Sequence, residues 1–269
     1  MVLEQGDRDD IILFVRAEPR AVQEVADHVD VAWVTAERYV KKIAEDTGVL
    51  SLKVFREGTR GALKLVHYNA VDAPVGSHQW EAVFESITAA RWKEDFDPMD
   101  IRSVAETGRV VEETRRGQTE RLKDLIRSTS SQILVFSGNF SFATVKDTHG
   151  EINQVLTNRL DDGVVLKGLA RANLASVENF SDDLFHHDNI EVRHSYQPLR
   201  GVIVDEQTVF LRSLERAERY KEDELQDTVH LSYVFTDEEV VDWLKKVFWN
   251  MYRASPSIDD RLSIYRSLS

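Results

Sequence analysis

A chain of 269 residues has room for two ordinary domains, and a composition of 42% apolar and 30% charged residues excludes a disordered polymer. The absence of cysteine excludes disulfides, thiolate zinc sites and thiol chemistry, and no apolar run approaches the ~20 residues that a membrane-spanning helix needs. The formal charge of −13 argues against wrapping a polyanion, but it is unevenly spread: residues 33–64 hold seven basic and four acidic residues, a local +3 that leaves −16 for the rest. The acidic start, MVLEQGDRDD, lacks the basic and apolar parts of a secretion signal, so the expected compartment is the cytoplasm, with no membrane partner.

Residues 1–70 carry the spacing of three helices and a hairpin. DDIILFVRAEPR places Ile11, Ile12 and Val15 at helical intervals before Pro19. RAVQEVADHV follows with Val22, Val25, Ala26 and Val29 on one face. In WVTAERYVKKIAEDTG, Ala36, Val40 and Ile43 recur at i, i+4, i+7 with Tyr39 beside them, which predicts a buried stripe. The opposite face of that helix then presents Val34, Thr35, Arg38, Lys41 and Lys42, and Gly48 stands where a left-handed stop is wanted. LSLKVFREGTRGALKLVHY reads as two strands joined by the turn EGTRG. Helix, helix, short turn, helix, hairpin is the order of a winged helix-turn-helix. The third helix would enter a major groove, and Arg56, Thr59 and Arg60 at the hairpin turn would meet the flanking backbone. Glu37 is the acidic intruder on that face; winged helices also serve as protein-docking modules.

Residues 71–118 read as a helical connector. NAVDAPVGSH (69–78) is linker-like, a helix over 79–95 gathers Trp80, Val83, Phe84, Ile87 and Trp92, and VAETGRVVEETRRGQ suggests a more polar helix. The first of these helices would pack within its own subunit or across a dimer.

From 119 to 255 helix and strand alternate, which predicts an α/β layer domain around a central mixed sheet. Helical TERLKDLIRSTS precedes the strand QILVFSGNF, then helical EINQVLTNRLDDG and the strand VVLKGLAR. ANLASVENFSDDLF reads as helix, IEVRHS as a strand, and RGVIVDEQTVFLRS as two strands about a tight turn. TDEEVVDWLKKVFWNMY closes the domain as a helix, with Thr236 and Glu239 spaced as a capping box. Residues 256–269 form a tail with a short apolar pattern.

RGVIVDEQTVFLRS, followed by a long loop and that closing helix, resembles a phospholipase D-like domain. The catalytic form of that family carries His-x-Lys-x-x-x-x-Asp and then Gly-Ser-x-Asn on the next strand. Registered on Asp205, this chain has Pro198 at the histidine, Arg200 at the lysine, Arg212 and Ser213 at Gly-Ser, and Glu215 at the asparagine. The family attacks phosphorus with histidine, and proline has neither lone pair nor proton, so no catalytic residue is expected and the chain is not expected to be an enzyme. Winged helix-turn-helix, helical connector and one degenerate phospholipase D-like domain together resemble archaeal TrmB-like transcriptional regulators over residues 10–255.

The resemblance implies a homodimeric regulator binding double-stranded DNA at a palindromic operator, with an effector cleft at Asn139, Arg200, Asp205 and Ser213. The alternatives are a phosphodiesterase or nuclease with a displaced nucleophile, for which His194 is the candidate, and a protein-docking adaptor. No cofactor is expected. His186, His187 and His194 with Asp182, Asp183 and Asp188 lack metal-ligand spacing, so no metal is expected either. SGNFSF (137–142) lacks the ending of a phosphate-binding P-loop and reads as a strand exit at the ligand edge of the sheet.

Overall fold

The computed structural model of the protein describes residues 3, 5–56, 62–68, 78–144, 150–180, 183–216 and 227–267. The chain divides into two compact units, Met1–Ala73 and Pro74–Ser269.

The first unit runs α1 (Gln5–Ala17), β1 (Arg20–Ala21), α2 (Val22–His28), α3 (Trp33–Thr47), β2 (Leu50–Arg56) and β3 (Ala62–Tyr68). Apolar spacing makes its core: Ile11 and Val15 of α1 meet Val22 and Val25 of α2 and the Ala36–Tyr39–Val40–Ile43 stripe of α3. Each large aliphatic buried there contributes about 1.5–3 kcal/mol over leaving it in water. Gly48 ends α3 in the left-handed region (φ 61°), its N–H bonded to the Ala44 carbonyl. The hairpin pairs Leu50 with Tyr68 through to Arg56 with Ala62. β1 adds a third strand that its two residues do not advertise: Arg20 pairs with Val66 and Ala21 with Leu65. This is the winged helix-turn-helix order. The expected linker lies outside the described residues except for His78.

The second unit contains α4 (His78–Ala89), α5 (Pro98–Ala105), β4 (Arg109–Glu113), α6 (Arg115–Ser128), β5 (Gln132–Phe136), α7 (Ser141–Thr144) and α8 (Gly150–Asp161). It continues with β6 (Val165–Ala170), β7 (Ile190–His194), β8 (Gly201–Val204), β9 (Thr208–Glu215), β10 (Val229–Phe235), α9 (Glu238–Ala254) and α10 (Ile258–Arg266). Among the described residues these strands make one seven-stranded mixed sheet, ordered β4-β10-β9-β8-β5-β6-β7, with β5, β6 and β7 parallel and the remaining pairs antiparallel. Strand alternation splits the apolar side chains between its two faces. Leu134, Phe136, Ile203, Leu211 and Phe235 pack with α4, α5 and α9. Ile133, Val135, Val202, Val204 and Phe210 pack with α6, α8 and α10.

Residues 78–118 therefore belong to this unit and do not form a separate connector. Val83 and Ile87 of α4 and Ile101 of α5 are buried in the first of these cores, and Trp80 meets Trp243 of α9 at 4.5 Å between ring centroids. The stretch VAETGRVVEETRRGQ is not one polar helix. α5 stops at Ala105, and β4 then edges the sheet, with Leu231 opposite Glu112. The helix over 79–95 ends earlier, at Ala89, leaving Trp92 outside it and half exposed. The long loop before α9 contains β10, a strand interior to the sheet. ANLASVENFSDDLF forms 3-10 turns at Leu174–Phe180 and Asp183–His186, not an α-helix. The cap of α9 is Asp237 in place of Thr236, accepting from the N–H groups of Glu239 and Val240. α10, in the expected tail, buries Ile258 and Leu262 against its own domain. No helix among the described residues is long and apolar enough to cross a membrane.

Candidate nucleic-acid interface and ligand cleft

The buried stripe of α3 leaves its other face open. Val34 is 71% exposed, Arg38, Lys41 and Lys42 are exposed, and Thr35 is half-buried. The Arg38 guanidinium lies 5.7 Å from the centre of the Tyr39 ring. Glu37 does not stand out alone on this face. Lys64 of β3 donates to both of its carboxylate oxygens at 2.8 Å, and Lys41 approaches at 3.0 Å. These two lysines hold the Glu37 carboxyl below the usual carboxylate range. Lys64 also lies 4.8 Å from the centre of the Trp33 ring, so one lysine ties the start of α3 to the hairpin from two directions. Lys42 reaches Asp46 at 3.9 Å. An exposed pair such as Lys42–Asp46 is worth ~1 kcal/mol or less. The backbone of Arg56 closes β2, while Thr59 and Arg60 lie outside the described residues.

A second candidate site is a cleft of about 600 Å³ in the second unit. It opens where β5 exits the sheet at Ser137 and Gly138, where β8 begins after Arg200, and where α6 starts; ligands commonly bind at such strand ends. Asn139, Arg200 and Ser213 of the expected cleft line it, as does Pro198. Asp205 does not. β8 is four residues long, about 13 Å, and Asp205 stands at its far end. There its carboxylate accepts from the N–H groups of Ser130, Ser131 and Gln132 and from the Ser130 and Ser131 hydroxyls. Burial alone would push this carboxyl up, but those bonds hold it low. Asp205 pins the entry of β5.

Arg212 takes the place in the cleft that the sequence reading gave to Asp205. Gly201 pairs with Leu211, so Arg200 and Arg212 are the next residues opposite each other, and the Arg212 N–H donates to the Arg200 carbonyl at 2.8 Å. Alternation puts Arg212 on Arg200's face of the sheet and Ser213 on the other. Burial, then Arg171 and Arg212, push Arg200 down to about 10, with Glu94 opposing. Burial and then Arg115 lower Arg212. Arg200 Nη1 donates to the carbonyls of Gln197 and Leu199, and the guanidinium lies against Gly138, where an added Cβ would stand 3.1 Å from Nε. Arg115 and His230 also line the cleft; burial, then Arg115 and Arg212, lower the His230 pKa.

His194 is not among the lining residues. It is buried at the end of β7, its Nδ1 accepting from the Ala172 N–H, so the proton resides on Nε2. His187 sits before the opposite end of β7, paired with Asp161 at 3.3 Å. The histidines are thus not assembled together, and residues 181–182 lie outside the described set.

No protein-family model matches the chain, and no curated protein matches it. Among solved structures it is similar to TrmBL2, described as an archaeal chromatin protein with a novel mode of DNA binding, at 16% identity, 95% coverage of each chain and a TM-score of 0.42. It is similar to NucT from Helicobacter pylori at 16% identity and TM-score 0.41, covering 56% of this chain and 99% of that one. It is also similar to the phospholipase D family member Nuc from Salmonella typhimurium at 15% identity and TM-score 0.40, covering 56% and 97%.

Proposed function

We propose that the protein is a sequence-specific, homodimeric DNA-binding regulator whose second unit is a dimerisation and effector domain without catalysis. The observation that carries this is the two-sided α3. One face is fully committed to a core, and the other presents Val34, Arg38, Lys41 and Lys42 beside a hairpin. Arg38 and Lys42 supply donors for guanine edges or phosphates, and Val34 supplies an apolar contact for a thymine methyl. An acidic remainder discourages non-specific wrapping and leaves the basic head as the favourable contact.

Twofold symmetry then calls for an operator with half-sites about one or two helical turns apart, ~34 Å per turn. Selection from a random duplex pool tests this reading. It is supported by enrichment of one inverted repeat, and an unenriched pool counts against it.

The non-catalytic reading rests on Pro198 in the cleft and on the placement of His194 away from it. One residue favours the hydrolytic alternative: His230 is the one histidine among the described residues that lines the cleft. Hydrolysis of bis(p-nitrophenyl) phosphate that disappears in His230→Ala would establish that alternative. A protein whose turnover equals the buffer blank supports the effector reading.

A further inference from the structure

The cleft contains a feature that costs the empty fold stability. Arg200, immediately before β8, and Arg212 on β9 are cross-strand neighbours, and like charges so placed in a sheet destabilise it. Both are partly buried, where the repulsion is stronger than in water. Neither Arg200 nor Arg212 forms an ion pair among the described residues. No carboxylate that lines the cleft pairs with either arginine among the described residues; Glu94 reaches Lys93, Asp95 accepts from the N–H groups of Arg91 and Trp92, and Asp97 accepts from the Met99 N–H as the cap of α5. What the pair lacks is an anion.

We infer that the cleft is a binding site for a small phosphomonoester, its phosphate held between Arg200 and Arg212. Charge selects this class. Two cations on cross-strand neighbours, neither in an ion pair among the described residues, match one compact dianionic group, and a phosphomonoester carries about −1.5 to −2 at neutral pH with three acceptor oxygens. A single carboxylate would leave one arginine unneutralised. The guanidinium fork suits phosphate, and Arg200 is pre-oriented by its bonds to the Gln197 and Leu199 carbonyls.

Size selects further. A volume of about 600 Å³ is that of a drug-sized ligand and far exceeds a bare phosphate, so the ligand has an organic part. The acidic side of the cleft, Glu94, Asp97 and Asp100 among it, repels additional negative charge. That part is therefore uncharged or cationic.

The site stands on the second unit alone; its role as an effector site rests on the DNA-binding reading. Titration calorimetry of the full chain at fixed ionic strength, with ribose 5-phosphate, ribose and inorganic phosphate as probes, tests it. Saturable binding of ribose 5-phosphate is expected, with inorganic phosphate competing and ribose not binding. Arg212→Met and, independently, Arg200→Met should each weaken ribose 5-phosphate at least tenfold, while Arg127→Gln on the exposed face of α6 binds as wild type. Absence of saturable binding by either phosphate, ribose binding as tightly as its phosphate, or unchanged affinity in the folded Arg212→Met and Arg200→Met proteins would overturn the inference. The Arg38→Ala/Lys42→Ala protein should retain ribose 5-phosphate binding. A cleft that binds in a protein that never binds DNA would defeat the regulatory reading and leave the site intact.

Discussion

Arg200 and Arg212 oppose each other across the β8–β9 pair, two partly buried cations joined by a backbone hydrogen bond of 2.8 Å and by no shared carboxylate. A binding site that is strained when empty behaves in this way: stability is withheld from the unliganded fold and returned when charge arrives.

Removing one member should therefore stabilise the empty protein. Arg212→Met keeps the aliphatic stem and deletes the charge, and the expected gain is about 0.5–1 kcal/mol, read from urea denaturation. Arg200 is pushed down to about 10 by burial first and then by Arg171 and Arg212. A cation depressed in the folded state carries its full penalty below that pH, and the penalty shrinks as pH rises through about 10. The gain from Arg212→Met should be full at pH 7 and smaller above pH 10. A loss of stability at pH 7 would show that Arg212 is structural.

Asp205→Ala should cost about 2 kcal/mol, because it leaves three backbone N–H groups at the entry of β5 without their acceptor. The Asp205 carboxyl is held low by those bonds against its burial, so its contribution is present above the ordinary carboxylate pKa and lost as pH falls through the folded value. Wild type and Asp205→Ala should converge in acid. Ligand affinity of the folded variant should be unchanged, since the residue lies at the other end of β8.

Parts of this architecture are legible in the sequence and parts are not. The α3 stripe and Gly48 follow from spacing and backbone conformation, and the structure buries Ala36, Tyr39, Val40 and Ile43 as that spacing requires. A motif register fixes sequence distance but not which end of a strand faces the cleft, so it does not locate Asp205. Arg212 was within reach of the sequence: strand alternation, applied to VFLRS opposite LRGVIV, already puts it on the face of Arg200. β10 alternates as well, Leu231, Tyr233 and Phe235 against His230 and Ser232. Its polar residues sit inside the domain and one lines the cleft, so the segment reads as loop. β1 is two residues long and exists only through its pairing with β3, which no local signal carries.

Glu37→Gln should weaken the first unit by ~1 kcal/mol or less, since it removes the charged acceptor between Lys64 and Lys41 on a partly exposed surface. The Glu37 carboxyl is held low by its bonds to Lys64 and then Lys41. Its contribution is therefore present above the ordinary carboxylate pKa and lost as pH falls through the folded value. The difference between wild type and Glu37→Gln, read by thermal denaturation, should be present at pH 7 and vanish in acid. Releasing both lysines toward DNA should also steepen the salt dependence of binding.

The most direct measurement is fluorescence anisotropy of the full chain on a labelled duplex from its own upstream region, across a salt series, beside the Arg38→Ala/Lys42→Ala protein. The account predicts binding that falls steeply with salt and is at least tenfold weaker in the variant at every salt concentration. A folded wild-type protein that does not bind at moderate salt, or a variant that binds as wild type does, would contradict it.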